Sequence, residues 1–348
     1  MGGNALQTGS VRLGAARYHA VESMLLGLLQ QRFPARRIEA IIAYADKPDF
    51  GDLDLLVEGG EGYDAALMAA ALGATEVVGN GAVTSIGVQL DEGVFQVDLI
   101  AIPAPSFDFA AGYFGYNDFG NLVGRIAHQF GAKFGHLGLL YPLRDPANHS
   151  HLIDAVCITA DFATALALLG YDAPRYAAMR AARQFRTLDD MFRYVVSTPY
   201  ASPAMYLLDQ RSHKARIRDA KRATYNAFLT WLAQQPPGMV PAYPWGEEGT
   251  ALREEQQAHF LHTALAQLPA FRERYDKALA TAARARQLKR TFNGALVAGV
   301  TGLTGKELGL CMQRVRATFA DTPAFEQFFL EASNDSKEAL FLAAMDKT

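Results

Sequence analysis

Apolar positions recur along the first half of the chain with two periods, and the switches between them predict its elements. Over residues 18–33, Val21, Met24, Leu25, Leu28 and Leu29 fall on one helical face, and Pro34 stops the helix. Residues 38–44 run apolar and read as a strand, 48–51 as a turn, and 52–58 as the next strand. An alanine-rich stretch over 63–72 predicts a helix, while 75–78, 83–90 and 94–102 alternate or run apolar like strands. Pro103 and Pro105 end the last of these, and two short helices are expected over 106–114 and 117–130. This order implies a mixed sheet backed by helices. The polar stretch 142–151 reads as a loop, and the domain boundary is expected at 148/149. Beyond it, 152–169, 174–186, 188–196 and 224–232 are rich in helix formers, so residues 149–348 are expected to be all helical.

Composition narrows the class. With 348 residues, 50% hydrophobic, 20% charged and a net charge of −3, the chain reads as a soluble globular protein of two domains. Only Cys157 and Cys311 are present, which excludes a disulfide framework and a cysteine metal site and leads one to expect a reducing cytoplasm. The opening residues lack the basic and apolar regions of a signal peptide, and no apolar run approaches the roughly 20 residues of a membrane helix. No membrane partner is therefore expected. Because the chain is slightly acidic, any nucleic-acid contact must come from local basic patches.

The candidate chemistry sits on two of the strands. In Gly51-Asp52-Leu53-Asp54-Leu55, acids alternate with apolar residues, so Asp52 and Asp54 share one face of a strand while Leu53 and Leu55 enter the core. Val97-Asp98-Leu99 repeats the pattern, and if the two strands are neighbours Asp98 completes a cluster of three carboxylates. Such a cluster repels itself unless a cation joins it, and hard divalent ions take oxygen ligands. The plainer alternative is a solvated strand edge, with Gly-Asp marking a turn.

From residue 41 to 143 the chain resembles the palm of the family X DNA polymerases, within the polymerase-beta-like nucleotidyltransferase superfamily. Gly51-Asp52-Leu53-Asp54 stands where that family has Gly-Asp-x-Asp, and Val97-Asp98-Leu99-Ile100 where it has its third-carboxylate strand. Tyr113-Phe114-Gly115-Tyr116-Asn117-Asp118-Phe119-Gly120-Asn121 aligns with Tyr-Phe-Thr-Gly-Ser-Asp-x-Phe-Asn, and Arg125 follows at the family's spacing. The resemblance implies that Asp52, Asp54 and Asp98 are the catalytic and metal-binding acids, with Mg²⁺ or Mn²⁺ as cofactor. It implies further that Gly51, Tyr113, Phe114, Asp118 and Asn121 contact a nucleoside triphosphate, and that Arg125 reaches the nucleic acid beyond. There is one departure: the family's Gly-Ser pair and upstream Arg are missing, and the chain reads Ala43-Tyr44-Ala45-Asp46-Lys47, which leaves Lys47 to supply positive charge to the triphosphate.

Further along, Arg211, Lys214, Arg218, Lys221 and Arg222 would form a basic stripe if 211–222 is one helix, able to follow phosphates without reading sequence; a solvated helix face is the alternative. The proline-rich 236–246 is a long connection, and its Tyr243 and Trp245 are expected to pack it down. Thr304 and Glu307 suggest a capping box opening a helix to residue 319. Residues 292–309 are loosely similar to the tail of tRNA CCA-adding enzymes. No nucleophile elbow or dinucleotide fingerprint appears.

The expectation is therefore an α/β (α+β) nucleotidyltransferase palm over 1–148, followed by an all-helical, nucleic-acid-binding domain over 149–348. Its function would be metal-dependent transfer of a nucleoside monophosphate to a nucleic-acid 3′ hydroxyl, RNA before DNA, with a tRNA end among the expected acceptors. A DNA repair polymerase and a catalytically weak palm that only binds nucleic acid are the alternatives.

Overall fold

Side-chain alternation along one strand organises the N-terminal architecture. The computed structural model describes residues 3–145, 148–210, 212–246 and 250–345. β1 (Leu13–Gly14) leads into α1 (Ala15–Arg32), whose Tyr18, Val21, Leu25 and Leu29 form its buried face. There follow β2 (Ile38–Ala40), β3 (Asp49–Phe50), β4 (Asp52–Glu58), α2 (Ala65–Ala71), β5 (Ala74–Asn80), β6 (Val83–Leu90) and β7 (Gly93–Ile102). The Asp64 side chain accepts from Ala66 N and Leu67 N and so starts α2.

Five strands form one mixed sheet in the order β2-β4-β7-β6-β5, in which β4 and β7 are parallel and the other pairs antiparallel. Leu53, Leu55 and Val57 pack with Val97, Leu99 and the buried face of α1. On the opposite face Leu56, Ile100 and Ile102 pack with Phe107 and Ala110 of α3 (Phe107–Phe114). Period two thus places Asp52, Asp54 and Asp98 on the α3 side of the sheet. The strand expected over 38–44 stops at Ala40, because the chain leaves the sheet: Tyr116 N donates to Ile42 O and Ala45 N to Phe185 O.

Glycines allow α3 to pack closely against α4 (Phe119–Gln129) and against Phe162. A Cβ on Gly120 would stand 2.3 Å from Tyr113 O, and one on Gly112 would stand 2.5 Å from the Phe162 ring. Next, β8 (Lys133–Gly135), β9 (Gly138–Asp145) and β10 (Asn148–Thr159) form a second, antiparallel sheet. This corrects the loop expected over 142–151 and the helix expected from 152. Val156 and Ile158 are buried with Cys157 between them less so, a period of two that the leucine and alanine content of the stretch hid.

No strand follows β10 among the described residues. α5 (Phe162–Leu168), α6 (Ala173–Ala181), α7 (Leu188–Val195), α8 (His213–Ala220), α9 (Ala223–Ala233) and α10 (Thr250–Gln267) complete the first of two compact units, Met1–Phe271. The boundary expected at 148/149 falls inside β10. The second unit, Arg272–Thr348, starts within α11 (Pro269–Thr291) and holds α12 (Gly294–Thr301), α13 (Gly305–Ala317), α14 (Thr322–Glu331) and α15 (Asn334–Met345) around Phe292, Val297, Val315, Phe329 and Phe341. The capping box at Thr304 does not form: Gly305 is left-handed at φ +54°, and the Thr304 hydroxyl makes no cap bond. In the proline-rich connection, Trp245 Nε1 donates to Tyr200 O, which ties the segment down as expected. No helix among the described residues is long and apolar enough to cross a membrane.

The packing at Gly120 has a direct test. Gly120→Ala must displace Tyr113, at a cost of about 1–3 kcal/mol, typical of overpacking. The urea midpoint should fall accordingly, and an unchanged midpoint would contradict this contact.

Candidate functional site

The parallel register of β4 and β7 sets Asp54 opposite Asp98 and Asp52 opposite Gln96. Asp52, Asp54 and Asp98 each offer a carboxylate oxygen within 4.8 Å of the others, and each side chain stays partly accessible. Burial, then the neighbouring Asp52 and Asp98, pushes the Asp54 carboxyl up to about 8. Burial raises Asp98 as well, opposed by hydrogen bonds from Ser85 and Gln96. Lys47 stands beside them with Nζ 4.3 Å from the centre of the Phe50 ring, which stacks on Tyr18. Burial lowers the Lys47 ammonium, and Asp52 and Asp54 oppose that shift. Asp52, Asp54, Lys47, Phe114 and Asn117 line one cleft of about 210 Å³.

A hydrogen-bonded segment that the sequence reading missed braces this cluster. Gly3 N donates to Asp52 Oδ2 at 3.0 Å, and Ala5 N to Gln96 Oε1 at 2.9 Å. Gln96 is buried, and its Nε2 donates to both Asp98 oxygens at 2.9 and 3.1 Å. Ser10 Oγ donates to Gly51 O and accepts from Gln96 N. Gly3 has φ +85°, and a Cβ there would stand 2.3 Å from Gly51 O, so the approach requires glycine. Gln96 could have been noticed as the residue two before Asp98 on the same strand face. The contacts from residues 3–10 left no local signal.

The remaining expected residues divide. Phe114 borders the acidic cleft, but Tyr113 lines a different cavity together with Asn121 and Arg218. Gly51 is buried and contributes its carbonyl to the Ser10 contact. Asp118 is ion-paired with Arg222, which ties the start of α4 to the start of α9. Arg125, expected to reach nucleic acid, is buried, and its Nε and Nη2 donate to Met205 O. The expected basic stripe is broken. α8 ends at Ala220, Arg222 turns back to Asp118, and Lys214, Arg218 and Lys221 are exposed; Arg211 lies outside the described residues.

The triad can hold a metal ion. Its donors are all carboxylate oxygens, the set that suits a hard divalent cation over a soft one. No protein-family model matches the sequence, and no curated protein matches it.

The raised Asp54 carboxyl makes stability depend on pH. Between its ordinary 3.8 and about 8, Asp54 keeps its proton in the fold where the unfolded chain has released it. Its stabilising share is present below about pH 4 and is lost as pH rises to about 8. In EDTA the melting temperature should therefore fall across that window, and Asp54→Asn should flatten the fall. Equal slopes in parent and variant would show that the triad is not its source.

Proposed function

We propose that the chain is a divalent-metal-dependent nucleotidyltransferase that moves a nucleoside monophosphate from a nucleoside triphosphate to the 3′ hydroxyl of a nucleic acid, RNA in preference to DNA. The observation that carries this reading is the convergence of Asp52, Asp54 and Asp98 oxygens within 4.8 Å, with Asp52, Asp54 and Lys47 lining an accessible cleft. A fold has no structural use for three crowded acids, whereas phosphoryl transfer does. The polymerase-like order of the motifs supports the same reading, with the acids on β4 and β7 followed by Tyr113-Phe114 and Asp118-Asn121 on α3 and α4.

Asp52, Asp54 and Asp98 would hold the divalent cation, which when bound would supply positive charge to the oxygens of the transferred phosphate. The chain's own residues do the rest. Lys47 meets the triphosphate oxygens in place of the family's Gly-Ser pair, and an anionic ligand there offsets what burial takes from its ammonium. Asp98, oriented by Gln96 Nε2, accepts the proton of the acceptor hydroxyl. That oxygen bonds to the α-phosphorus as the bond to the bridging oxygen breaks, and pyrophosphate leaves. Phe114 gives the cleft an apolar wall for the ribose and Asn117 a polar one. The proposal includes a cytoplasmic location, for which two free cysteines are suited.

A second reading, a catalytically weak palm that binds nucleic acid, is favoured by the Gly3 N bond occupying Asp52 Oδ2 and by the missing Gly-Ser pair.

Incorporation of each labelled nucleotide on RNA and DNA primers, with and without Mg²⁺, separates the readings. The expected result is Mg²⁺-dependent extension of RNA, reduced at least about a hundredfold by Asp52→Ala or Asp98→Ala. Faster extension of DNA would favour a repair polymerase. Primer binding without extension would favour the second reading.

A further inference from the structure

Residues 3–10 run across the five-stranded sheet at the end that carries the acids. The segment starts at Asp52 of β4, where Gly3 N donates to Oδ2, and passes Gln96 of β7, whose Oε1 accepts from Ala5 N. Leu6 is buried over β6, where a Cβ on Gly87 would stand 3.3 Å from its Cδ1. Glu76 of β5, an edge strand of the sheet, then accepts from Gln7 N at 2.7 Å and from Thr8 N and Oγ1 at 3.2 and 2.7 Å. The chain turns at Gly9, with φ +77°, and Ser10 returns to Gly51 O and Gln96 N.

Two acids of the triad are thereby oriented from one segment, Asp52 directly and Asp98 through Gln96. An amide side chain ends in an acceptor and a donor group, and Ala5 N–H decides which way that of Gln96 faces, oxygen to Ala5 and NH₂ to Asp98. Reversed, it would set donor against donor and oxygen against carboxylate. Gln96 is only 2% exposed, so water offers neither group a substitute. The Gly3 bond engages one Asp52 oxygen, and a carboxylate has a second for a cation. Partners of this kind raise metal affinity because the ligands are already oriented before the ion arrives.

We infer that residues 3–10 are a strap that sets the cation affinity of the triad, with Glu76 as its distant anchor. Gly3 and Gln96 are positioning residues and not ligands. The inference rests on the triad as a divalent-cation site and is independent of what the chain transfers.

The test is Mn²⁺ binding to the full chain, read as loss of the spin-resonance signal of free Mn²⁺. Asp54→Asn should weaken binding strongly, which assigns the ion to the triad. Gly3→Ala, whose Cβ would drive the strap off Gly51 O, should weaken Mn²⁺ by about tenfold or more, the usual effect of losing a partner of a metal ligand. Glu76→Ala should weaken it by at least about threefold, the equivalent of part of one hydrogen bond, although β5 lies two strands from β7 and three from β4. Gly138→Ala is the control for stability alone. Its Cβ would stand 2.7 Å from Thr159 O in the second sheet, so it should lower the melting temperature and leave Mn²⁺ affinity unchanged. Parent affinity in both Gly3→Ala and Glu76→Ala, with Asp54→Asn still impaired, would overturn the strap and leave the cation site standing. A loss in Gly138→Ala equal to that in Gly3→Ala would overturn the strap as well. Binding unaffected by Asp54→Asn would overturn the cation site and the strap together.

Discussion

Like-charge crowding on β4 and β7 is the constraint on which the rest of the site depends. At 4.8 Å, two ionised carboxylates repel by about 3–4 kcal/mol at an effective dielectric near 20. A single neutral hydrogen bond returns only about 1 kcal/mol. The bonds from Gly3, Ser85 and Gln96 therefore orient the acids without cancelling their repulsion, and the cluster needs a proton on Asp54, the Lys47 charge or a bound cation. The crowding itself is a consequence of topology. β7 can lie parallel to β4 only because the chain passes through α2 and the β5–β6 hairpin before it returns.

The same economy of backbone separates the two cavities. Consecutive residues on a helix point about 100° apart, so Phe114 reaches the acidic cleft while Tyr113 reaches the cavity with Asn121 and Arg218. The turn between α3 and α4 then holds two non-glycine residues in the left-handed region, Tyr116 at φ +57° and Asn117 at φ +61°. Such backbone persists only where its surroundings enforce it. Here Tyr116 is buried against Phe185 and its N–H donates to Ile42 O, while Asn117 is delivered to the cleft.

What could be read from the sequence follows the same division between local and distant forces. Alternation was sufficient for β4, β6 and β7 and for the shared face of the acids, because Leu53, Leu55, Val97 and Leu99 all turn to the α1 side of the sheet, which ties register to pattern. The β9–β10 hairpin was missed because alanine and leucine suggested helix where Val156 and Ile158 alternate into a core. The family resemblance assigned Arg125 to the nucleic acid, and only the fold brings Met205 O to its guanidinium. The stripe over 211–222 assumed one helix, and the turn after Ala220 that sends Arg222 to Asp118 has no local cause. The bonds of Gly3 to Asp52 and of Ala5 to Gln96 span long sequence separations, which periodicity does not report.

The most direct test of the central claim, that the three acids form a divalent-cation site, is anomalous diffraction from crystals of the protein grown with Mn²⁺ and a nonhydrolysable nucleoside triphosphate. The account predicts a strong anomalous peak within bonding distance of oxygens from Asp52, Asp54 and Asp98, with phosphate density beside Lys47. Crystals with manganese bound elsewhere and none among the three carboxylates would contradict it.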